Sequence, residues 1–181
     1  MSNLLGLDQE KPEGVMAVDA GLAPDPEWAL KVKGGANWFY WIAALSLINS
    51  GAFVMGANFQ FLAGLGLTAV SDAVIQASID QGASPGLKVV AVVFDLVVVI
   101  GFALAGYFAN KFFTTAFFVG IVVYVCDTLI VLLLGEYLMA GFHVFALFFI
   151  TRGFLACREL KKFEASQPNT QPLPPPPPAN Y

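Results

Sequence analysis

Four long runs of apolar residues dominate the pattern of the chain. They cover about residues 38–57, 87–109, 112–134 and 137–155. Each run meets the roughly 20 apolar residues that a helix needs to cross the hydrocarbon core of a bilayer. The turns after the second and third runs are so short that the helices they join must pack as antiparallel neighbours. The pattern predicts an all-α polytopic membrane protein with an antiparallel bundle of four transmembrane helices.

A fifth segment, about residues 59–79, has an amphipathic pattern. Leu67, Val70 and Val74 recur at helical spacing, and Thr68 and Asp72 occupy another face. An amphipathic helix that lies on the outer membrane interface, or dips into it, fits this pattern best. A fifth span would instead put the basic flanks of the chain on opposite sides of the membrane.

Basic residues at the ends of the apolar runs indicate how the chain is threaded. In a four-span protein one side carries these basic residues: Lys31, Lys33, Lys111, Arg158, Lys161 and Lys162. The other side has only Lys88. Because cytoplasmic loops are enriched in Lys and Arg, both termini are predicted to be cytoplasmic in a multi-pass protein of the inner cell membrane.

The two ends of the chain differ from its apolar centre. Residues 1–34 are polar and acidic and are expected to be mostly disordered, whereas residues 35–157 form the transmembrane domain. Residues 158–181 combine a basic juxtamembrane stretch with a proline-rich tail. The unbroken prolines near its end favour polyproline II. The segment from Pro172 to Pro178 could therefore dock in an aromatic groove or act as a stiff spacer.

Composition excludes several classes of function. The net charge is −4 and no basic face is present, so nucleic-acid binding has no electrostatic basis. One histidine and two cysteines build neither a bis-histidine haem site nor a zinc or iron–sulfur motif. No serine-nucleophile, intramembrane aspartyl-protease or phosphate-loop motif is found. We expect no cofactor and no enzymatic activity, and the sequence leaves a metal site open.

Three ionisable side chains inside the apolar runs are the best candidates for chemistry: Asp95, Asp127 and His143. Polar groups in hydrocarbon usually face a partner, a cavity or an ion. At a rise of 1.5 Å per residue, all three lie about 9–12 Å below the outer surface. With Tyr124 and Glu136 they form the predicted intramembrane polar cluster. Such a cluster could relay protons, hold a cation or a polar ligand, or fix helix packing, which we favour.

Other side chains are predicted to pack or anchor the helices. The packing candidates are small or polar residues on one face of a span: Ser46, Asn49, Ser50, Gly101, Ala105 and Ala109. The anchoring candidates lie near span ends, where they can contact lipid head groups: Arg152, Trp38 and Trp41.

Short motifs from Trp38 onward resemble a group of small, uncharacterised four-span bacterial membrane proteins. The matching stretches are Trp38-Phe39-Tyr40-Trp41-Ile42, Ser46-Leu47-Ile48-Asn49-Ser50, Gly64-Leu65-Gly66-Leu67-Thr68 with Asp72, Tyr124 with Asp127, and Phe142-His143 to Arg152-Gly153. The resemblance implies a four-span core and brings no known activity or ligand.

The leading interpretation is a non-enzymatic integral membrane protein that acts through assembly. It would serve as an accessory subunit of a membrane complex or as a small homo-oligomer. Its expected partners are the lipid bilayer and other membrane subunits or a second copy, and no nucleic acid. The alternative is a proton or cation carrier or channel, or a metal- or ligand-binding membrane protein, that uses Asp95, Asp127 and His143.

Overall fold

The computed structural model describes residues 26–57 and 64–166. Within these ranges the chain forms no strand and these helices: α1 (Pro26–Val54), α2 (Gly66–Asp80), α3 (Leu87–Asn110), α4 (Thr114–Leu133) and α5 (Tyr137–Ser166). The all-α prediction is confirmed for this part of the chain. By length and composition, α3, α4 and α5 could each cross a membrane, which indicates a membrane protein. Residues 1–25 and the proline-rich segment lie outside the described residues.

Helices α1 and α5 extend beyond the predicted spans. Pro26 suits the first position of a helix because its φ is already helical. Lys31 Nζ donates to Glu27 Oε2 at 2.8 Å across the next turn. The rings of Trp28 and Phe163 meet edge to face at 5.8 Å, so the polar ends of α1 and α5 pack together. Residues 26–34 are therefore helical, although their composition assigned them to the mostly disordered segment.

Helices α1 and α5 come closest where two glycines face each other. A Cβ on Gly35 would lie 2.7 Å from Gly153 Cα, and a Cβ on Gly153 would lie 2.8 Å from Gly35 Cα. Side chains do not tolerate such distances, so this glycine contact depends on the absence of both Cβ atoms. Close packing of this kind holds helices together in lipid, where water provides no hydrophobic driving force between them.

Phe39 fills the space between α1, α3 and α4. The Phe39 ring occupies the position that a Cβ on Gly120 would need. A Cβ on Gly106 would lie 3.2 Å from the Cβ of Phe39. The rings of Phe102 and Phe117 lie 6.2 and 6.0 Å away. The aromatic core of the described part is thus built around one ring that enters between small residues.

A tight turn joins α4 to α5 and sets their mutual position. Gly135 lies in this turn with φ +79°, a conformation that glycine adopts without steric cost. Asp127, near the end of α4, and His143, near the start of α5, are therefore brought to similar distances from the turn. The geometry of the polar site depends on this connection.

Helix α2 packs against α1, α3 and α4 with its polar face inward. Thr68 and Asp72 are buried, whereas Leu67 and Val74 are 37% and 59% exposed. A helix on a membrane surface would turn its polar face to water. The sequence correctly predicts two faces, but the polar face contacts other helices. The described helix begins at Gly66, and residues 59–63 of the predicted segment lie outside the described residues.

Candidate functional site

The first turn of α2 is held by a carboxylate from α4. The amide of Gly66 donates to Asp127 Oδ2 at 2.9 Å, and the amide of Leu67 donates to Asp127 Oδ1 at 2.7 Å. The first amides of a helix have no partner within it and form the positive end of its dipole. Asp127 therefore caps α2 from a distant part of the chain.

Two further contacts fix the start of α2. The amide of Leu65 donates to Ser46 Oγ on α1 at 2.8 Å. A Cβ on Gly66 would overlap Val131 Cγ2 on α4, so only glycine allows this close approach. Polar bonds to two helices and the absence of one side chain thus place the helix start inside the protein.

His143 completes the capping arrangement from α5. Its Nε2 lies 2.9 Å from Asp127 Oδ2, and its Nδ1 lies 2.8 Å from the carbonyl oxygen of Met139. A carbonyl oxygen only accepts, so Nδ1 carries a proton. Asp127 also accepts amide bonds on both of its oxygens. His143 and Asp127 therefore form a buried hydrogen-bonded pair.

Tyr124 stacks on the His143 ring. The ring centroids are 4.7 Å apart and the planes differ by 15°. Stacked rings of this kind add to the packing of α4 against α5. The Tyr124 hydroxyl is buried without a hydrogen-bond partner, and Thr128 Oγ1 bonds to the Tyr124 carbonyl oxygen within α4. Tyr124 thus contributes its ring to the site, rather than the hydroxyl expected from the sequence. We call Asp127, His143, Tyr124 and the Gly66 and Leu67 amides the capping site.

Asp95 lies in a second group of side chains. Ser50 Oγ on α1 donates to Asp95 Oδ2 at 2.6 Å, and the Asp72 carboxyl on α2 is within hydrogen-bonding reach of Asp95. Asp72 and Asp95 are only 2% and 1% exposed. Their Oδ1 atoms are both buried without a partner. We call Asp72 and Asp95 the acid pair.

Two negative charges on the acid pair would repel each other strongly. Two unit charges about 4 Å apart repel by about 4 kcal/mol at an effective dielectric of 20. Burial, together with the charge and hydrogen bond of Asp95, raises the pKa of Asp72 to about 7. A carboxyl that keeps its proton near neutral pH relieves the repulsion and can donate to its neighbour.

The structure joins two members of the predicted polar cluster and gives the third other partners. Asp127 and His143 are in direct contact, whereas Asp95 contacts Ser50 and Asp72. Glu136 is exposed in the turn before α5. The sequence places Asp72 on a polar helix face but does not by itself pair it with Asp95. The spacing of the two residues is consistent with their contact, because both lie equally far from the turn between α2 and α3.

The predicted packing residues have several roles. Ser46, Asn49 and Ser50 are buried, and Ser46 and Ser50 bind the start of α2 and the acid pair rather than only lining a helix seam. The small residues of α3 are divided: Ala109 is buried, Ala105 is half-buried and Gly101 is exposed.

The predicted anchors also differ from one another. Arg152 and Trp41 are exposed. Trp38 is half-buried and stacks on Phe149 of α5, with 5.2 Å between the ring centroids. Trp38 therefore helps to join α1 to α5.

The surface of the described helices includes a groove between α1 and α3 and another between α3 and α4. The α1–α3 groove has a volume of about 440 Å³ and is lined by apolar side chains, with Ser50 and Asp95 among its lining residues. The α3–α4 groove has a volume of about 360 Å³ and includes small residues of both helices: Gly101, Ala105, Thr115 and Ala116.

No family model, curated protein or solved structure matches this chain. The resemblance to small four-span bacterial membrane proteins thus stays a prediction that rests on short motifs.

Proposed function

We propose that the protein is a non-enzymatic, multi-pass membrane protein that acts through association with other membrane helices. It would be an accessory subunit of a membrane complex or a small homo-oligomer. The α3–α4 groove carries this proposal. Its small residues leave an apolar concave surface of about 360 Å³, and a Cβ on Gly101 would meet nothing within 4 Å. Helices in lipid associate through such surfaces, because small side chains let two backbones come close.

The proposed threading has four spans: α1, α3, α4 and α5. The exposed surface of α1 from residue 41 onward includes Trp41, Leu47 and Ile48, which suits contact with lipid. The basic residues at the helix ends then place both termini in the cytoplasm under the positive-inside rule. Helix α2 would be a half-helix that enters from the outer side, since its apolar face is exposed and its polar face is buried.

A structural role accounts for the capping site without catalysis. Both carboxylate oxygens of Asp127 and both ring nitrogens of His143 have partners within the protein. Intramembrane polar groups that are fully satisfied in this way fix helix positions. The carrier alternative is less well supported, because it needs Asp95 in one site with Asp127 and His143.

Replacement of Gly101 by leucine tests the proposal. The wild-type protein in lipid vesicles should contain more than one copy per particle, or one stoichiometric partner, when counted by single-molecule photobleaching and mass spectrometry. Gly101→Leu should fill the groove and yield single copies. Gly141→Leu is the matched control, because Gly141 is also exposed with open space around it but lies on α5. A wild-type monomer without a partner, or undiminished association of Gly101→Leu, would overturn the proposal.

A further inference from the structure

The acid pair contains two buried acceptors without a donor. Asp72 Oδ1 and Asp95 Oδ1 are both removed from solvent and have no hydrogen-bond partner. Buried polar oxygens of this kind are costly unless a donor or cation satisfies them. Ser50 supplies only one donor, and its hydroxyl lies 2.6 Å from Asp95 Oδ2 and 3.1 Å from the carbonyl oxygen of Ser46. The acid pair therefore needs a cation or a proton to satisfy its two unpartnered oxygens.

The number of oxygen ligands and the space around them decide which positive species can neutralise the acid pair. Divalent cations such as Ca²⁺ take six to eight oxygen ligands, more than two carboxyls and one hydroxyl provide. The unpartnered oxygens are also enclosed, with almost no accessible surface. A proton needs no space of its own, and one proton between two carboxyls removes one charge and supplies the missing donor.

We propose that Asp72 and Asp95 form a proton-binding site that holds one exchangeable proton between α2 and α3. The site goes beyond the proposed assembly function and does not depend on it. The raised pKa of Asp72 agrees with binding near neutral pH.

The surroundings of the acid pair contain few other charges. Among the described residues on α1, the neighbouring side chains of Ser46, Asn49 and Ser50 are neutral. Helix α4 contributes Asp127 at the start of α2, where the Gly66 amide and His143 of α5 are hydrogen-bonded to it. Titration of the acid pair should therefore be governed by Asp72 and Asp95 themselves.

The α1–α3 groove provides a route to the site. Asp95 and Ser50 line it together with apolar side chains and Gly51, and a Cβ on Gly51 would meet nothing within 4 Å. Water that enters this groove could deliver and remove the proton. Gly51→Leu should fill the groove without touching the carboxyl groups.

Infrared spectroscopy of the full chain in lipid vesicles tests the site. The band of a protonated buried carboxyl should be present at pH 6 and disappear with a midpoint near neutral pH. Asp72→Asn and Asp95→Asn should each move the midpoint to lower pH, because the remaining carboxyl no longer faces a second negative charge, and asparagine keeps the side-chain size. Asp80→Asn is the matched control and should leave the band unchanged, because Asp80 is an exposed carboxyl on the same helix.

Two further measurements separate proton binding from a purely structural role. Ser50→Ala should raise the midpoint by up to about one pH unit, because the doubly charged pair loses its hydrogen bond to Asp95, whereas the singly protonated pair can hold its proton on Asp95 instead. Gly51→Leu should keep the midpoint and slow hydrogen–deuterium exchange of the carboxyl at least several-fold. Absence of a titrating band in the wild type, an unchanged midpoint in both asparagine variants, or a midpoint that follows Na⁺ concentration would overturn the proposal. These results are independent of the copy number measured for Gly101→Leu.

Discussion

Two contacts hold helices together in this protein by different means. Where α1 meets α5, Gly35 and Gly153 bring two backbones together by the absence of side chains. Where α2 meets α4, Asp127 holds a helix start by hydrogen bonds and is itself bonded to His143 of α5. The hydrophobic effect does not drive helices together within lipid, so a contact must be close or polar. The glycine contact is sensitive to volume, whereas the capping site is sensitive to charge.

The largest expected effect is the loss of one member of the buried Asp127–His143 pair. Asp127→Ala or His143→Ala should each lower the free energy of unfolding by about 3–5 kcal/mol, because either breaks the pair and leaves its buried polar groups without partners. The double variant should cost clearly less than the sum. Chemical unfolding in detergent, followed by circular dichroism, gives these values. Additive losses would show that the two side chains act independently.

The glycine contact should respond to one added methyl group. Gly35→Ala should lower the free energy of unfolding by about 1–3 kcal/mol, because its Cβ meets the backbone of α5. Gly34→Ala is the control, since a Cβ there meets nothing within 4 Å. It should be neutral or stabilise α1 by up to about 1 kcal/mol, as alanine favours helices over glycine. Equal effects of the two variants would contradict the close contact of α1 and α5.

Gly66 takes part in both a close contact and a polar contact. Gly66→Ala should cost about 1–2 kcal/mol, because its Cβ overlaps the Val131 side chain and pushes the helix start away from Asp127. Val131→Ala should restore part of this loss in the double variant, although it creates a small cavity of its own. A double-mutant cycle on unfolding free energies measures this coupling. If the cycle gives a coupling free energy of zero, the start of α2 does not approach α4 this closely.

Stability should also depend on pH through Asp72. Its pKa is raised by burial and by Asp95, from 3.8 to about 7. The folded protein therefore binds this proton more tightly than the unfolded chain, and the added stability is complete below pH 3.8. It is lost as the pH rises through about 7, by about 1 kcal/mol between pH 6 and pH 8. Unfolding at several pH values should show this loss in the wild type and not in Asp72→Asn. An unchanged pH slope in that variant would assign the titration elsewhere.

The smallest expected effect is at Tyr124. Tyr124→Phe keeps the ring that stacks on His143 and removes a buried hydroxyl without a partner. The free energy of unfolding should change by less than about 0.5 kcal/mol, or rise slightly. A loss above 1 kcal/mol would show that the hydroxyl has a partner in the membrane. The same unfolding assay compares Tyr124→Phe with Asp127→Ala.

The apolar pattern predicted the helices well because the membrane requirement is local. A run of apolar residues must be helical in lipid, whatever its neighbours, and α3, α4 and α5 were found within a few residues of their predicted starts. The ends of α1 and α5 were missed because Trp28 and Phe163 stabilise each other across two helices. Such a contact leaves no pattern in either segment alone.

The candidate site was predicted in part. Depth along the helices places Asp127 and His143 at the same level, and in the structure the two side chains are in contact. Depth places Asp95 at that level too, but it does not specify which face of a helix meets which neighbour. Helix α2 enters between the others and takes Asp95 as the partner of Asp72.

The sequence by itself determined that this is a helical chain with segments suited to a membrane and with few ionisable groups inside them. Only the tertiary structure decided how those groups divide, into a capping site in which Asp127 and His143 are fully hydrogen-bonded and an acid pair with two unsatisfied oxygens. The physical reason is that hydrophobicity acts residue by residue, whereas a hydrogen bond or a missing Cβ matters only once two helices have a defined distance and rotation.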